Sequence, residues 1–150
     1  GAAGGRKPVV AREVKKTVAE KQREVEVREI RAAISQRLEQ RNLPVAADLY
    51  IDLMKVDSEQ VLPRQYLLDI GNQLASSQRS SEAAWAYEQF LTHYGNYEHA
   101  EQVELMVGIL YSRYLDKPEE AVRHLQRAAE RLSDETQMKM CREELARLQR

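Results

Sequence analysis

Cysteine, phenylalanine and tryptophan each occur once in these 150 residues, and helix-breaking residues are nearly absent from the body of the chain. The lone Cys141 excludes an internal disulfide and fits a reducing compartment. A single Phe and few β-branched runs argue against a sheet. Four of the six Gly fall in Gly1–Gly5, and only four Pro are present in all. No stretch reaches the ~18 apolar residues of a membrane span, and no signal-peptide core is present. There is no Gly-rich phosphate loop, no G-x-S-x-G and no Ser/His/Asp arrangement. His93, His99 and His124 lack any Cys/His or HExxH spacing that would hold a metal. The expectation is a chain with no catalytic residues, no cofactor and no metal: not an enzyme.

Hydrophobic residues make up 43% and charged residues 31%, which suits one helical domain able to bury a working core. The net charge of -1 conceals an asymmetry. Residues 1–23 carry seven Lys/Arg against Glu13 and Glu20, leaving the rest of the chain near -6. A basic arm ahead of an acidic body can face anionic lipid, nucleic acid or the body itself, or remain a solvated lead-in. Residues 1–8 read as a linker, and the chain as part of a longer protein.

Against this background three nine-residue stretches are versions of one another. They begin at Ala46, Ala83 and Ala121, 37 and 38 residues apart. Each starts with a small residue, places a large apolar one four positions on (Tyr50, Tyr87, Leu125) and closes with an apolar pair. Ile34, Gly71 and Gly108 keep the same step upstream, at 37 and 37. A period of this size signals stacked helical units rather than a globule around one core.

The residue pattern gives a series of helices. Val9 to about Arg41 contains no Pro or Gly and reads as one long helix, buried on the face of Val27, Ile30, Ile34 and Leu38. Its first part, residues 9–26, is basic and projects. Further helices are expected from Pro44 to Val56, Arg64 to Ala75, Ser80 or Ser81 (as N-cap) to Tyr94, and Glu98 to Tyr114. A sixth, capped by Asp116, follows with Pro118 in its first turn. Asp134 with Gln137 resembles the cap of a last helix, apolar at Met138, Cys141, Leu145 and Leu148, with Glu144 among the residues outside. A one-sided helix at the end of an array reads as its seal against water.

These units resemble tetratricopeptide repeats, helix pairs of ~34 residues in that family. Tyr66, Ile70-Gly71, Leu74, Ala83, Tyr87 and Phe90 match the middle unit, and Val107-Gly108, Tyr111, Ala121, Leu125 and Ala128 the third. Ile30, Ala33-Ile34, Ala46, Tyr50 and Leu53 match the first more weakly. Arg37 and Glu104 stand where the family has large apolar or aromatic residues, and the pitch is longer than the norm. The block 60–113 is also similar to repeat regions attached to bacterial membrane proteins, some rhomboid-type intramembrane proteases among them, whose protease motifs are absent here. The implied fold is all-α: a right-handed stack of about three helix pairs over residues 27–150, with a long N-terminal helix and a C-terminal capping helix.

The resemblance also implies a function, namely an interaction scaffold or adaptor that holds a protein or peptide segment in a concave groove. By the family's groove positions the lining is Gln65, Leu68, Asn72, Ala75 and Ser76, then Gln102, Leu105, Ile109, Ser112 and Arg113. Amides there offer a donor and an acceptor at once, Arg113 can fork onto a carboxylate, and Leu68, Leu105 and Ile109 supply an apolar floor. The competing reading packs the long first helix into that groove. Trp85 is a candidate exposed anchor, or a residue packed under its neighbouring connector. Tyr94, Tyr97 and Tyr114 with His93 and His99 read as aromatic packing between units. Alternatives to the scaffold are homo-oligomerisation through the first helix and Trp85, and a membrane-proximal regulatory region using the basic arm. No nucleic acid partner is expected, a membrane would be met only through a flanking segment or that arm, and the expected location is cytoplasmic or the cytoplasmic face of a membrane.

Overall fold

The computed structural model describes residues 15–150. Among these, seven α-helices and no strand are present: α1 Val18–Glu39, α2 Leu43–Val56, α3 Arg64–Ser76, α4 Ser80–Tyr94, α5 Ala100–Arg113, α6 Pro118–Arg131 and α7 Glu135–Leu148. They pack in consecutive pairs, α1 on α2, α3 on α4 and α5 on α6. The pairs join through α2 against α3 and α4 against α5, and α7 closes the array on α6 and α5. The expected all-α stack with its terminal helix is what the chain forms.

Small residues set the spacing within the pairs. Ala46, Ala83 and Ala121 are fully buried. A Cβ placed on Gly71 would sit 2.7 Å from a Tyr87 ring carbon, and one on Gly108 the same distance from Leu125 Cγ. Both glycines therefore let the partner helix's large side chain lie on the backbone itself. One core cluster runs from Val27 and Ile34 through Tyr50, Leu67, Ile70, Tyr87 and Phe90 to Val107. A second holds Leu105, Leu125, Ala128, Leu132 and Cys141, with Met138, Leu145 and Leu148 packed against it. The apolar stripe of α7 thus lies where the sequence puts it.

Polar ties lock the joints between pairs. The Tyr50 hydroxyl donates to Gln89, whose amide donates to the carbonyls of Ser58 and Gln60, each at 3.3 Å. Tyr94 donates to the Leu62 carbonyl at 2.9 Å, and Arg31 to the Val61 carbonyl at 3.0 Å. These bonds satisfy the backbone of the α2–α3 connector, which would otherwise lose its hydration without replacement.

Several element ends differ from expectation. The first helix starts at Val18, not Val9: Thr17 is extended and forms a capping box with Glu20, and residues 15–17 are not helical. Residues 9–14 lie outside the described part. The Thr-x-x-Glu pattern was readable as a start signal, outweighed by the absence of Pro and Gly upstream. Helix α4 begins at Ser80 with Arg79, not a serine, as N-cap, because Gln78 turns the chain at φ 62° and the Arg79 side chain reaches Asp48 and Glu82 instead. Helix α5 begins at Ala100 after His99 at φ 70°, and the N-cap of α6 is Lys117 rather than Asp116, which takes φ 50°. Asp134 caps α7 as expected, accepting from the Gln137 N–H at 2.8 Å. No described helix is long and apolar enough to cross a membrane.

Candidate functional site

The positions that the resemblance assigns to a groove lie on α3 and α5, and the structure divides them in two. On α3, Gln65, Asn72 and Ser76 are exposed while Leu68 and Ala75 are half-buried against the core. Gln65 donates to Asp69 at 2.8 Å, one turn along the same helix. The Asn72 side-chain carbonyl accepts from the Tyr87 hydroxyl at 2.7 Å, which fixes the amide and turns its NH2 away from that contact. Ser76 bonds back to the Gln73 carbonyl at 2.9 Å. This face is ordered by its own helix pair and open to solvent.

On α5 the corresponding residues are engaged by α7. Leu105 is buried and Ile109 half-buried in the second core cluster beside Cys141. Gln102 donates to Gln137 at 3.4 Å. Arg113, expected to be free for a partner's carboxylate, instead forks onto Glu144 of α7, with nitrogen–oxygen distances of 3.1 to 3.4 Å. Ser112 donates to the same carboxylate at 2.7 Å, and Arg147 reaches it at 2.6 Å. Glu144, expected outside, is 2% exposed. Burial would raise its pKa, but the bonds from Arg113, Arg147 and Ser112 outweigh that and hold it at about 2. The helix occupying the α5 face is therefore the last one. Helix α1, the occupant weighed from the sequence, packs along α2.

A second polar cluster lies inside the stack where α4, α5 and α6 meet. His124 of α6, 5% exposed, is held between two carboxylates: Nδ1 at 2.5 Å from Glu104 of α5, and Nε2 at 2.7 Å from Glu88 of α4. Tyr111 stacks on the imidazole with centroids 5.7 Å apart. Burial alone would lower the histidine's pKa, but the two carboxylates push it up to about 9, so it is a cation at neutral pH. Burial would likewise raise the Glu88 pKa, and the bond from His124 brings it below the ordinary value. Glu104, which stands where the resemblance expects an aromatic, thus has a cation beside it, the His124 imidazolium that Glu88 also engages. Sequence reading missed this cluster, although Glu104 on the apolar stripe of Ala100, Val107 and Tyr111 was a signal that a cation had to face it. The arrangement ties three helices together, and both ring nitrogens are occupied.

Trp85 of α4 is 49% exposed rather than packed under a connector. Tyr94 and Tyr97 meet edge to face at 5.7 Å, and His93 neighbours Tyr94 at 6.4 Å. Tyr114, expected in this group, is instead strongly exposed at the end of α5. Among the described residues no group of three His, Cys, Asp or Glu is arranged to hold a metal ion. Comparison with protein-family models gives no match, and comparison with curated proteins gives none that is significant.

Proposed function

We propose that this chain is a protein-interaction scaffold of the tetratricopeptide kind that holds a partner segment along the inner face of α3. The observation that carries this reading is the contrast between the two halves of that face. The α5 half is closed by α7, whereas on α3 the polar Gln65, Asn72 and Ser76 surround half-buried Leu68 and Ala75. An amide pinned on one side by Tyr87 is pre-oriented to bond an extended backbone on the other, and an ordered donor gives up little entropy on binding. The partner's apolar side chains would rest on Leu68. Selection from a displayed random-peptide library, followed by NMR shift mapping, tests this. Binders that perturb Gln65, Leu68, Asn72 and Ser76, and that Leu68→Arg rejects, support it. A library that yields no binder, or binders that leave α3 unshifted, would refute it.

Homo-oligomerisation is a second reading, favoured by one observation. Every described residue from 18 to 26 of α1 is exposed, Val18 and Val25 included. Sedimentation across a range of concentrations, repeated with Val18→Ser/Val25→Ser, separates it from the first.

A further inference from the structure

Helix α7 sits on α5 as a bound helix sits in a groove. Met138, Cys141, Leu145 and Leu148 step along it by three, four and three residues. They share one apolar cluster with Leu105 and Ile109 of α5 and with Leu125 and Ala128 of α6. Apolar anchors at that spacing, with the polar side of the helix left outside, are how an amphipathic helix is recognised by a groove. The hold is light. Of the fourteen residues of α7 only Cys141 and Glu144 are buried, against eight of fourteen in α5. Leu132, Ser133 and Asp134 alone connect it to α6.

The two ends of this seat are matched unequally. At one end Ser112 donates to the Glu144 carboxylate at 2.7 Å, and Arg113 forks onto it at 3.1 to 3.4 Å. Arg147, the other cation on that carboxylate, belongs to α7 itself and would leave with it. Among the described residues Arg113 has no second carboxylate within ion-pair distance, so without α7 the seat presents one unmatched cation. At the other end the fit is poor. Gln102 reaches Gln137 only at 3.4 Å, and its side-chain carbonyl is buried with no hydrogen bond among the described residues. A buried acceptor left unmet is a cost that a better-matched helix would recover.

We infer that α7 is an internal, autoinhibitory occupant of this seat, and that an amphipathic helix of a partner protein, bearing a carboxylate for Arg113, displaces it. The inference extends the reading of the inner face from α3 to α5 and rests on it for its purpose, since α7 shuts the α5 half. The incoming helix carries apolar residues at the spacing of Met138, Cys141, Leu145 and Leu148, and its carboxylate stands at the place of Glu144. A helix with a cation there is rejected, because it would set like charge against Arg113. Leu105 and Leu125 are buried under α7, so it is replaced rather than shed. A tethered helix competes at an effective concentration on the order of millimolar, and a partner of higher intrinsic affinity displaces it well below that. A second copy of this chain offers only the same α7, with the same poor fit at Gln102 and no tether.

The probe is a synthetic peptide of residues 134–150, offered to the full chain and followed by fluorescence anisotropy of a label on the peptide. Glu144→Gln in the chain loosens the internal occupant while keeping its shape. The peptide, which keeps its own glutamate, should bind this variant about tenfold more tightly than it binds wild type. A peptide carrying Glu144→Lys should bind neither. Arg113→Glu in the chain should reverse the preference, rejecting the first peptide and accepting the second, which a purely structural α7 would not do. Leu68→Arg, which blocks the α3 strip, should leave these affinities alone, so the two readings fail separately. Hydrogen exchange of the isotope-labelled wild-type chain at saturating unlabelled peptide needs no variant to fold. Residues 135–148 should lose protection while residues 101–132 keep theirs. Protection retained in α7, or lost from residues 101–132 along with it, overturns the inference. So does equal binding of both peptides to the Glu144→Gln chain. A concentration-dependent dimer of the wild-type chain that the peptide dissolves would overturn it too, since a second copy's α7 would then hold the seat.

Discussion

Replacing His124 with alanine probes how the second and third helix pairs are joined. The imidazole is 5% exposed and stands between Glu104, itself 7% exposed, and Glu88. Without it, the Glu104 carboxylate is left inside the stack with no cation beside it. Breaking a buried pair from one side costs about 3–5 kcal/mol, against a whole-domain stability of about 5–15. For a chain of this size that lowers the melting point by about 10–15 °C. The double variant Glu104→Leu/His124→Leu removes the buried charge altogether and should recover most of the loss, because well-packed apolar replacements of such pairs are commonly neutral or better. Urea unfolding followed by circular dichroism gives the free energies. The pH dependence supplies an independent check. His124 is raised from 6.5 to about 9, so its contribution is fully present below about pH 6.5 and is lost as pH rises through about 9. That difference is worth about 3 kcal/mol at 1.36 kcal/mol per unit. The gap between wild type and His124→Ala should narrow by this amount from pH 6 to pH 10. A single variant within about 1 kcal/mol of wild type, or a gap that ignores pH, would refute the account.

Three further outcomes are expected. Gly71→Ala should cost about 1–3 kcal/mol, since its Cβ would press on a buried Tyr87 ring that Asn72 holds in place; an unchanged urea midpoint would deny the close approach. Glu144, depressed from 4.5 to about 2, should contribute stability that is present above pH 4.5 and is lost as pH falls through about 2. After allowance for screening of the half-exposed arginines this is about 1–2 kcal/mol, and parallel acid titrations of wild type and Glu144→Gln would exclude it. Deleting residues 134–150 should uncover Leu105, Leu125 and Leu132, each worth about 1.5–3 kcal/mol of burial. Hydrogen exchange should then show protection lost across residues 101–132, whereas a monomer with an unaltered melting point would make α7 a dispensable tail.

The inner face shows how far residue types alone reach. Leu68, Asn72 and Ser76 occupy positions whose side of the helix follows from helical periodicity; Asn72 and Ser76 are exposed and Leu68 is half-buried against the core. Leu105 and Arg113 obey the same periodicity, yet a neighbouring helix covers them. Local spacing fixes which side of a helix a residue is on. It does not say what stands opposite.

Sequence by itself determined the helix pairs, the small residues at their closest approach and the apolar stripe of the last helix. These follow from short-range rules: a 3.6-residue period, the bulk of one side chain and the chemistry of one cap. Tertiary structure alone decided that α7 rather than α1 covers α5, that Glu144 turns inward to Arg113, and that His124 is shared by Glu88 and Glu104. Each of these joins residues 20 to 36 positions apart, beyond the reach of a helical period. Glu104, His124 and Glu144 need partners because they are buried, and burial is a property of the assembled stack.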